Sequence, residues 1–430
     1  MTLLRDPSFW LLALFLIPLL LRVPIAVALG FSALVVAWKW DLGVAMVSYN
    51  FFAGIAKFPL LAIPFFVVAG FIMERAGIAA RLVALMEALT GAMTGGLALA
   101  AVVVATFWGA VSGSGPATVA ALGLILIPGM ARAGYDKAFA AATVSVTSGL
   151  AIVIPPSIAF IIYGGVAGVS VPALFAAGFA PGLLVSGFIA LAVLVISRKK
   201  GYHGQKTGAS LTRALREASW GLLAPVIILG GIYGGVFSPT EAAAVAVFYG
   251  LFVGVFIYRT INSFRAICEI FAAGVRASAV VMVVVTCAGL YSWVASAVGL
   301  VEKGSAALLS VSGNPWIVLL MINLILLLAG MVLDAISIYY VLLPFMLPIV
   351  AHFGWDPIWF GVMMTVNLAI GQVTPPVAVN LYMGANISGL SMEQISRAAL
   401  PLIFASLLAL TAIVLFPGLS TFLPKLLGMA

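Results

Sequence analysis

Charged residues are scarce in this chain of 430 residues: 7% are Asp, Glu, Lys or Arg, whereas soluble domains carry about 25%. Hydrophobic residues make up 64% and the mean hydropathy is +1.27, more apolar surface than one soluble core could bury. Cysteines are also few, and Cys268 and Cys287 stand in apolar sequence, where we expect buried free thiols and no disulfide framework. The composition therefore predicts a polytopic membrane protein.

Residues for catalysis are equally sparse. The two histidines, His203 and His352, cannot assemble a metal set or a nucleophile and base with the available carboxylates. The run GSGPAT at 113–118 is similar to a phosphate loop, but no Lys follows it and no strand precedes it. The net charge of +8 is explained by basic residues retained in cytoplasmic loops. We expect no enzyme, no nucleotide coupling and no nucleic-acid partner.

Apolar runs of about 20 residues predict the helices that cross the bilayer. The opening run, 9–21, follows Arg5 and has no cleavage site before the next apolar run, so we interpret it as a retained first helix and not as a signal peptide. The other continuous spans are predicted at 24–39, 56–74, 173–197, 218–237, 239–258, 277–297 and 395–418.

Two stretches of the chain repeat each other at a constant spacing of 220 residues (375 minus 155). The matching positions are Pro155-Pro156 with Pro375-Pro376, Pro128 with Pro348, Gly134 with Gly354, Asp136 with Asp356, Gly164 with Gly384 and Pro181 with Pro401. One fixed spacing over about 70 residues of apolar sequence is typical of transporters built from two structural repeats.

Each repeat contains one hairpin and one broken helix. The regions 138–169 and 357–389 are long enough to cross but are interrupted by Pro-Pro. The regions 95–134 and 314–352 are apolar with a polar centre, at 112–116 and 334–337, and we interpret them as re-entrant hairpins. Small residues at such tips could merely permit close helix packing. Their occurrence beside a break in both repeats favours a binding role.

The number of crossings between the hairpins sets the relative orientation of the repeats. Five crossings separate them, so the second repeat is inverted, with both chain termini external. Two loops are predicted to be cytoplasmic from their basic residues: Arg198, Lys199, Lys200, Lys206, Arg213 and Arg216 in one, and Arg259, Arg265 and Arg276 in the other. The predicted fold is an all-α polytopic membrane protein with inverted structural repeats, two re-entrant hairpins and two broken helices.

A broken helix leaves backbone groups that hydrocarbon does not tolerate unless they bind something. The freed carbonyls of 149–154 and 371–374 suit sodium, and the amino ends of the second half-helices suit an anion. With oxygens from the hairpin tips, two related sodium sites are predicted. Their residues are Ser112, Ser114, Gly115, Gly149, Ile152, Pro155, Asp334, Ser337, Gly371, Thr374 and Pro376. Predicted substrate contacts are Thr118, Ser157 and Asn380.

Two acidic residues have a second interpretation. Asp334 lies within apolar sequence, which points to an ion pathway, but it could equally cap the helix that begins at Ala335. Glu241 follows Ser238 by three residues, a spacing that favours a capping box over proton coupling.

The chain resembles the large membrane subunit, of DctM or SiaM type, of tripartite ATP-independent periplasmic (TRAP) transporters. The resemblance spans nearly the whole chain, and its most specific segments are GSGPAT at 113–118, LIPGMARAGYDKAFAAA at 126–142, VIPPS at 153–157, GGVFSPTEAAAVAV at 234–247 and GQVTPPVAVNLY at 371–382. It implies a sodium-driven elevator in the bacterial inner membrane, in which transport elements in 95–197 and 314–418 move against scaffold helices in 1–94 and 198–297. It also implies a small four-helix membrane subunit (DctQ or SiaQ type), a periplasmic substrate-binding protein (DctP or SiaP type) and a carboxylate substrate such as a C4-dicarboxylate or a sialic acid.

Two transporter alternatives remain at this point. A stand-alone sodium/anion symporter of related architecture would share the hairpins and breaks but need no binding protein. A channel would line successive helical turns with polar residues, whereas the polar residues here concentrate at two tips.

Overall fold

The computed structural model describes residues 5–204 and 210–429, and all regular secondary structure in these ranges is helical. Lys206, part of the predicted cytoplasmic loop, lies outside the described residues. Eight of the described helices are long and apolar enough to cross a membrane. The chain is a multi-pass membrane protein, as its composition predicts.

The helices fall into four consecutive groups along the chain. The first group is α1 (Pro7–Leu20), α2 (Ile25–Lys39), α3 (Val44–Ala53), α4 (Ala62–Arg75) and α5 (Ile78–Thr90). The first repeat contains α6 (Gly96–Ser112), α7 (Gly115–Arg132), α8 (Lys137–Ser148), α9 (Ile158–Ala167) and α10 (Val171–Lys200). Between the repeats lie α11 (Leu211–Tyr233), α12 (Pro239–Phe252), α13 (Phe264–Ala297) and α14 (Leu300–Val311). The second repeat contains α15 (Pro315–Gly330), α16 (Ala335–His352), α17 (Pro357–Gly371), α18 (Val379–Ser388), α19 (Met392–Leu415) and α20 (Gly418–Leu426).

Both predicted hairpins and both predicted breaks are present. The α6–α7 hairpin turns at Gly113, which has a left-handed φ of +61°, and Pro116 lies in the first turn of α7. A side chain at such a φ would be strained, so glycine suits this turn. The other hairpin is α15–α16. The Pro-Pro pairs fall between α8 and α9 and between α17 and α18, where residues without a backbone N–H cannot continue a helix.

The two repeats interlock. Helix α9 of the first repeat packs against α16 of the second, and α18 of the second packs against α7 and α8 of the first. The far end of the first broken helix meets the base of the second hairpin, because the Tyr163 hydroxyl donates to the Pro357 carbonyl at 2.6 Å. The base of the first hairpin contacts a different residue, Tyr202. The Gly95 N–H donates to the Tyr202 carbonyl at 3.0 Å, and the Asp136 N–H donates to the Tyr202 hydroxyl at 3.1 Å. The hairpins therefore open at opposite ends of the bundle, as expected of inverted repeats.

The helices outside the repeats form a second packed group. Helix α4 packs against α12 and α13, and α13 packs against α2. Helix α4 also contacts α6 of the first hairpin. A polar bond joins the same two groups, because the Lys57 ammonium, just before α4, donates to the Gly165 carbonyl in α9 at 2.7 Å.

Several elements differ from the sequence-based expectation. The short helices α3, α5, α14 and α20 are not among the predicted spans. Helix α13 starts at Phe264, well before the predicted span of 277–297, and an exposed Arg265–Glu269 ion pair of 2.9 Å lies on this extension. The expectation of buried thiols is wrong for Cys268, which is exposed on the same extension, and Cys287 is only partly buried. Ile270 on this extension is buried and Ile267 packs against the core, so Cys268 lies on the outward face of a packed helix.

Candidate functional site

A cavity of about 450 Å³ lies where both hairpin tips meet both helix breaks. The first tip contributes residues 112–116 and the second tip residues 334–336. The breaks contribute Ile152, Ile158, Gln372 and Val379. The opposite wall belongs to α4 and α13, through Gly70, Phe71, Glu74, Ala277 and Val281 among others. The cavity thus lies between the repeat elements and the helices that pack around them.

Four helices begin at this cavity. The first residues of α7, α9, α16 and α18 all line it: Gly115, Ile158, Ala335 and Val379. A helix N-terminus carries the equivalent of about half a positive charge and bare amide donors. Among the described residues that line the cavity there is no Lys, Arg or His. Among the described lining residues, only the backbone amides can therefore offer positive charge to an anion, since the charged side chains there, Glu74 and Asp334, are acidic.

Two of these four helices are capped by their own side chains. The Ser157 hydroxyl accepts from Phe160 N at 3.4 Å and caps α9. The Asp334 carboxylate accepts from Ile336 N at 3.0 Å and from Ser337 N at 3.3 Å, and so caps α16. The capping interpretation of Asp334 is confirmed, and its carboxylate also lines the cavity.

The other two helices, α7 and α18, lack a side-chain cap among the described residues. Two buried amides lie beside these open ends. Gln372 is 7% exposed and Asn380 is fully buried. Gln372 Oε1 and both polar atoms of the Asn380 side chain have no hydrogen-bond partner within the described ranges. Unpaired buried polar atoms are costly, and of the two amides Gln372 lines the cavity, where a polar ligand would reach it.

Glycine at position 115 makes room for this corner. A Cβ atom on Gly115 would lie 2.7 Å from Asn380 Nδ2 and 2.9 Å from Gln372 Oε1. No real side chain fits at those distances. The tip of the first hairpin and the break of the second repeat therefore meet at a point where only glycine fits.

Each hairpin also touches the broken helix of its own repeat at a close backbone approach. A Cβ on Gly109 of α6 would lie 2.8 Å from Ala151 Cα. In the second repeat, a Cβ on Gly371 would lie 2.7 Å from Gly330 Cα of α15. Ala151 and Gly371 are equivalent positions at the repeat spacing. The predicted pairing of each tip with its own Pro-Pro break is therefore seen in both repeats.

Hydroxyl groups cluster at the first tip. The Thr118 hydroxyl donates to Ser112 Oγ at 3.0 Å, and Ser112 Oγ donates to the Ser114 carbonyl at 3.1 Å. At the second tip the Ser337 hydroxyl donates to Asp334 Oδ1 at 2.6 Å, and the Thr374 hydroxyl beside the break donates to the Ile370 carbonyl at 2.7 Å. Each of these hydroxyl groups therefore already has a hydrogen-bond partner near its own tip or break.

The predicted site residues divide by position. Those that line the cavity are Ser112, Ser114, Gly115, Ile152 and Asp334. Thr118 and Ser337 reach it through the hydrogen bonds above, and Asn380 lies directly behind Gly115. The Ser157 hydroxyl is occupied twice, because it also donates to the Ile152 carbonyl at 2.5 Å.

The remaining predicted residues lie outside the cavity wall. Gly149 faces α17, where an added Cβ would be 3.0 Å from the Ala369 carbonyl oxygen. Gly371 and Thr374 lie at the α15 crossing and the break, while Pro155 is buried and Pro376 is exposed. The two breaks therefore differ in accessibility although their sequences repeat.

Two hydrophilic residues of the cavity wall were not predicted from the sequence. Gln372 is adjacent to the predicted ligand Gly371, and a polar residue one turn before Pro-Pro was a usable signal. Glu74 precedes Arg75 at the C-terminal end of α4, where a charged pair gives no signal of a site within the membrane. The predicted capping box of α12 is confirmed, with Ser238 N donating to Glu241 Oε2 at 2.8 Å.

Comparison with protein families gives one model over nearly the whole chain. Residues 12–419 match the "Tripartite ATP-independent periplasmic transporter, DctM component". A solved structure, that of the Alcanivorax borkumensis YdaH transporter, shares the fold with a TM-score of 0.66 and 17% sequence identity, covering 96% of this chain and 98% of that one.

Individual relatives include three named permeases. The chain is 40% identical to the isethionate TRAP transporter permease DctMQ of Oleidesulfovibrio alaskensis, over 97% of this chain and 66% of that protein. It is 34% identical to the C4-dicarboxylate large permease DctM of Rhodobacter capsulatus, over 96% of this chain and 97% of the relative. It is also 34% identical to the sialic acid large permease SiaM of Vibrio cholerae, over 92% and 94%.

Proposed function

Because this chain belongs to the DctM family of tripartite ATP-independent periplasmic transporters and is a multi-pass permease rather than an enzyme, we propose that it drives uptake of an organic acid with sodium ions. The observation that carries the proposal is the cavity of about 450 Å³ where four helices begin, with no basic side chain among the described residues of its wall. Helix N-termini attract an anion there, and the oxygens of the tips and breaks attract a cation beside it.

The first proposed sodium site lies between the first tip and its break. It uses oxygens of Ser112 and Ser114 with carbonyls of the turn at 149–152, which the Gly109–Ala151 approach holds against α6. Sodium coordination favours several neutral oxygens at close range. Ser112 Oγ lies 3.1 Å from the Ser114 carbonyl, so two such oxygens are already adjacent.

The second proposed site is the repeat equivalent, between the α15–α16 tip and the break after α17. Its oxygens come from Asp334, Ser337, Thr374 and the carbonyl of Gly371. The backbone also joins this tip to this break, since Val377 N donates to the Met331 carbonyl at 3.3 Å. Moving the tip would therefore alter the ion site and the anion site together, which is what coupled transport requires.

Alternating access is proposed to occur by movement of the two repeats against the remaining helices, the scaffold. The cavity is bounded on one side by the tips and on the other by α4 and α13, so this movement would carry the cavity. Gly70 of α4 faces the first tip, and even a Cβ there would be 3.8 Å from Ser112 Cα. Gly70 and Ser112 are both small, so at this point the packing does not oppose a sliding movement. Lys57 and Gly165 form a polar contact between the scaffold and the repeats.

The proposed partners are a small membrane subunit and a periplasmic binding protein. The name of the isethionate relative joins DctM and DctQ, and this chain matches 66% of that protein, which leaves length for a second subunit. The relatives named above handle isethionate, C4-dicarboxylates and sialic acid, all organic anions. The inner membrane and external termini are part of the proposal. In support of the topology, Asp6 near the chain start pairs with Lys303 at 3.1 Å, beyond the predicted external end of α13.

Uptake by reconstituted proteoliposomes tests this function. Organic acid uptake would be measured with an imposed sodium gradient and with an equal potassium gradient, each with and without the two partner proteins. Uptake that needs sodium and both partners is expected. Sodium-driven uptake by this chain alone would identify a stand-alone symporter, and uptake independent of any gradient would identify a channel.

Two variants locate the ions in the same assay. Ser114→Ala and Pro156→Ala should raise the sodium concentration needed for half-maximal uptake, with Ser219→Ala, at a half-buried position of α11 away from the cavity, as the matched control. Unchanged sodium activation in both variants would contradict the assignment of the first site.

A further inference from the structure

We infer that Glu74 weakens the binding of the transported anion on the cytoplasmic side of the membrane and so speeds its release into the cell. Nothing equivalent would oppose binding on the external side. This role rests on the proposed function, in which the cavity holds the anion and the basic end of the bundle is cytoplasmic. It belongs to the scaffold and not to the residues that hold the ligand.

Glu74 lies where the cavity reaches the basic end of the bundle. It belongs to the last turn of α4, and its exposed side chain is part of the cavity wall. On both scaffold helices, wall residues adjoin basic residues in the sequence: Glu74 precedes Arg75 in α4, and Ala277 follows Arg276 in α13. Basic residues of this kind mark the cytoplasmic side. An anion that leaves the cavity in this direction therefore passes Glu74.

The Glu74 carboxylate adds a negative charge to this end of the cavity. An exposed carboxyl group is ionised at neutral pH. Within the described ranges no ion pair involves Glu74, and no Lys, Arg or His lines the cavity. The other acidic wall residue, Asp334, caps α16 and belongs to the second hairpin, so it would accompany the anion to both sides. Only Glu74 would stay with the scaffold and distinguish the two sides.

Glu74 is close enough to act on an anion at the hairpin tips. Gly70, one turn earlier on α4, faces the first tip, where an added Cβ would lie 3.8 Å from Ser112 Cα. One helical turn rises about 5.4 Å, which places the carboxylate about 10 Å from an anion at the tips. Two negative charges about 10 Å apart weaken binding by about two- to tenfold, depending on how strongly water screens them.

The scaffold helices are repeated as the transport elements are, and the repeat identifies the position equivalent to Glu74. Helices α4 and α13 both end two residues before a glycine with a left-handed φ, Gly77 at +73° and Gly299 at +70°, and a short helix follows each glycine. These glycines are 222 residues apart (299 minus 77). At this spacing the order of buried, half-buried and exposed residues is the same in 66–75 and 288–297, and Glu74 corresponds to Ser296. Both side chains are exposed, but Ser296 is neutral.

The two positions would face the cavity in turn. When inverted repeats exchange their arrangements, tips that lie beside the end of α4 come to lie beside the equivalent end of α13. The anion would then enter past Ser296 and leave past Glu74. Weaker binding at the cytoplasmic side speeds release and limits rebinding of accumulated substrate, while the external side keeps its affinity. The accumulation reached at equilibrium is set by the ion gradient and stays the same.

Inhibition of uptake by internal substrate tests the role of Glu74. Proteoliposomes with the complete transporter would be loaded with unlabelled isethionate, succinate or sialic acid, and initial uptake of the same labelled acid would be measured at fixed sodium concentrations on both sides. Binding protein added outside selects transporters whose external side faces outwards, so the internal acid reaches only their cytoplasmic side.

Glu74→Gln should lower the internal concentration that halves uptake by about two- to tenfold and leave the dependence on external substrate unchanged. The matched control is Glu302→Gln, which removes an exposed carboxylate of α14 outside the cavity wall. Thermal unfolding in detergent confirms the fold of each variant, and Glu74→Asn replaces a Glu74→Gln protein that does not fold.

A carboxylate at the equivalent position should act on the other side. Ser296→Glu should raise the concentration of loaded binding protein needed for half-maximal uptake by about two- to tenfold and leave internal inhibition unchanged. Both effects are electrostatic, so the difference between each variant and the wild type should shrink when choline chloride on both sides is raised from about 0.05 M to about 0.5 M. A purely structural effect would not respond to salt in this way.

Three results would overturn the role of Glu74: unchanged internal inhibition in Glu74→Gln, an equal change on both sides, or a difference from wild type that persists at high salt. Each of them leaves the proposed function standing if the wild-type protein takes up an acid with sodium. Absence of sodium-driven uptake of every acid by the wild-type protein, with its partners present, would overturn the function itself and the role of Glu74 with it.

Discussion

Replacing Gly371 by Ala should disturb the second proposed sodium site through packing alone. A Cβ there would lie 2.7 Å from Gly330 Cα and 2.8 Å from its carbonyl carbon. Carbon atoms in contact are ordinarily about 3.5–4.0 Å apart, so α15 and α17 must separate by about 1 Å. Both atoms belong to backbone and cannot turn away. Overpacking of this kind costs about 1–3 kcal/mol, offset by less than about 1 kcal/mol from replacing a helical glycine.

The separation would fall where the second tip meets its break. If about 1–2 kcal/mol is lost from the sodium-bound arrangement, the sodium concentration for half-maximal uptake should rise by about five- to thirtyfold. Sodium titration of uptake measures this rise, and thermal unfolding in detergent measures stability. Gly187→Ala in α10 is the matched control, since nothing lies within 4 Å of its added Cβ. Wild-type sodium activation and wild-type stability of Gly371→Ala would show that the close approach of α15 and α17 does not hold the second site together.

Three further predictions concern single residues. Asp334→Ala should lower the free energy of unfolding by about 1 kcal/mol, because α16 loses its N-cap. Asp334→Asn keeps a capping side chain and should weaken only sodium activation. Equal thermal stability of the two variants would contradict the capping role. Lys57→Met removes the hydrogen bond to the Gly165 carbonyl and should change the population of the present arrangement by about fivefold. The labelling rate of a cysteine placed in the cavity wall measures this change, and an unchanged rate would show that the bond does not hold the arrangement. The Ser8 backbone N–H and the Lys303 ammonium lower the pKa of Asp6. Its stabilising contribution is therefore present above the unfolded pKa of about 3.9 and lost as pH falls through the lower folded value, a dependence that Asp6→Asn should abolish in melting curves.

Local signals explain why so much of the fold could be predicted from the sequence. Pro-Pro removes two consecutive N–H donors, and a Gly-rich, Pro-containing tip stops one helix and starts another, so the breaks and hairpins depend on residues adjacent in the chain. The same holds for the Ser238–Glu241 capping box. The 220-residue spacing then predicts that the fold consists of two equivalent repeats, because equivalent sequences form equivalent elements.

Contacts between the repeats could not be predicted in this way. Gly115 and Asn380 lie far apart in the chain, and their meeting depends on how α18 packs on α7. The sequence indicated Asn380 as a substrate contact, but not that Gln372 would join it or that Glu74 of α4 would close the cavity. Hydropathy windows also misplaced Cys268, because apolar composition does not show which face of a helix packs against the core.

The accessibility of the two breaks is likewise a property of packing. The first break, with Pro155, is buried among neighbouring helices, while Val377 after the second break is 44% exposed. Both have the same Pro-Pro sequence. Equivalent sequences therefore predict equivalent backbone, and the surroundings of each copy decide how far its carbonyls are open to ions.

A structure of the complete transporter, determined in sodium with a bound organic anion, would decide whether the proposed sites exist. We expect density for ions between each hairpin tip and its own break, and density for the anion in the cavity where α7, α9, α16 and α18 begin. The same preparation in potassium should lack the ion densities. Substrate bound outside this cavity, or an unchanged density map in potassium, would contradict the proposed sites.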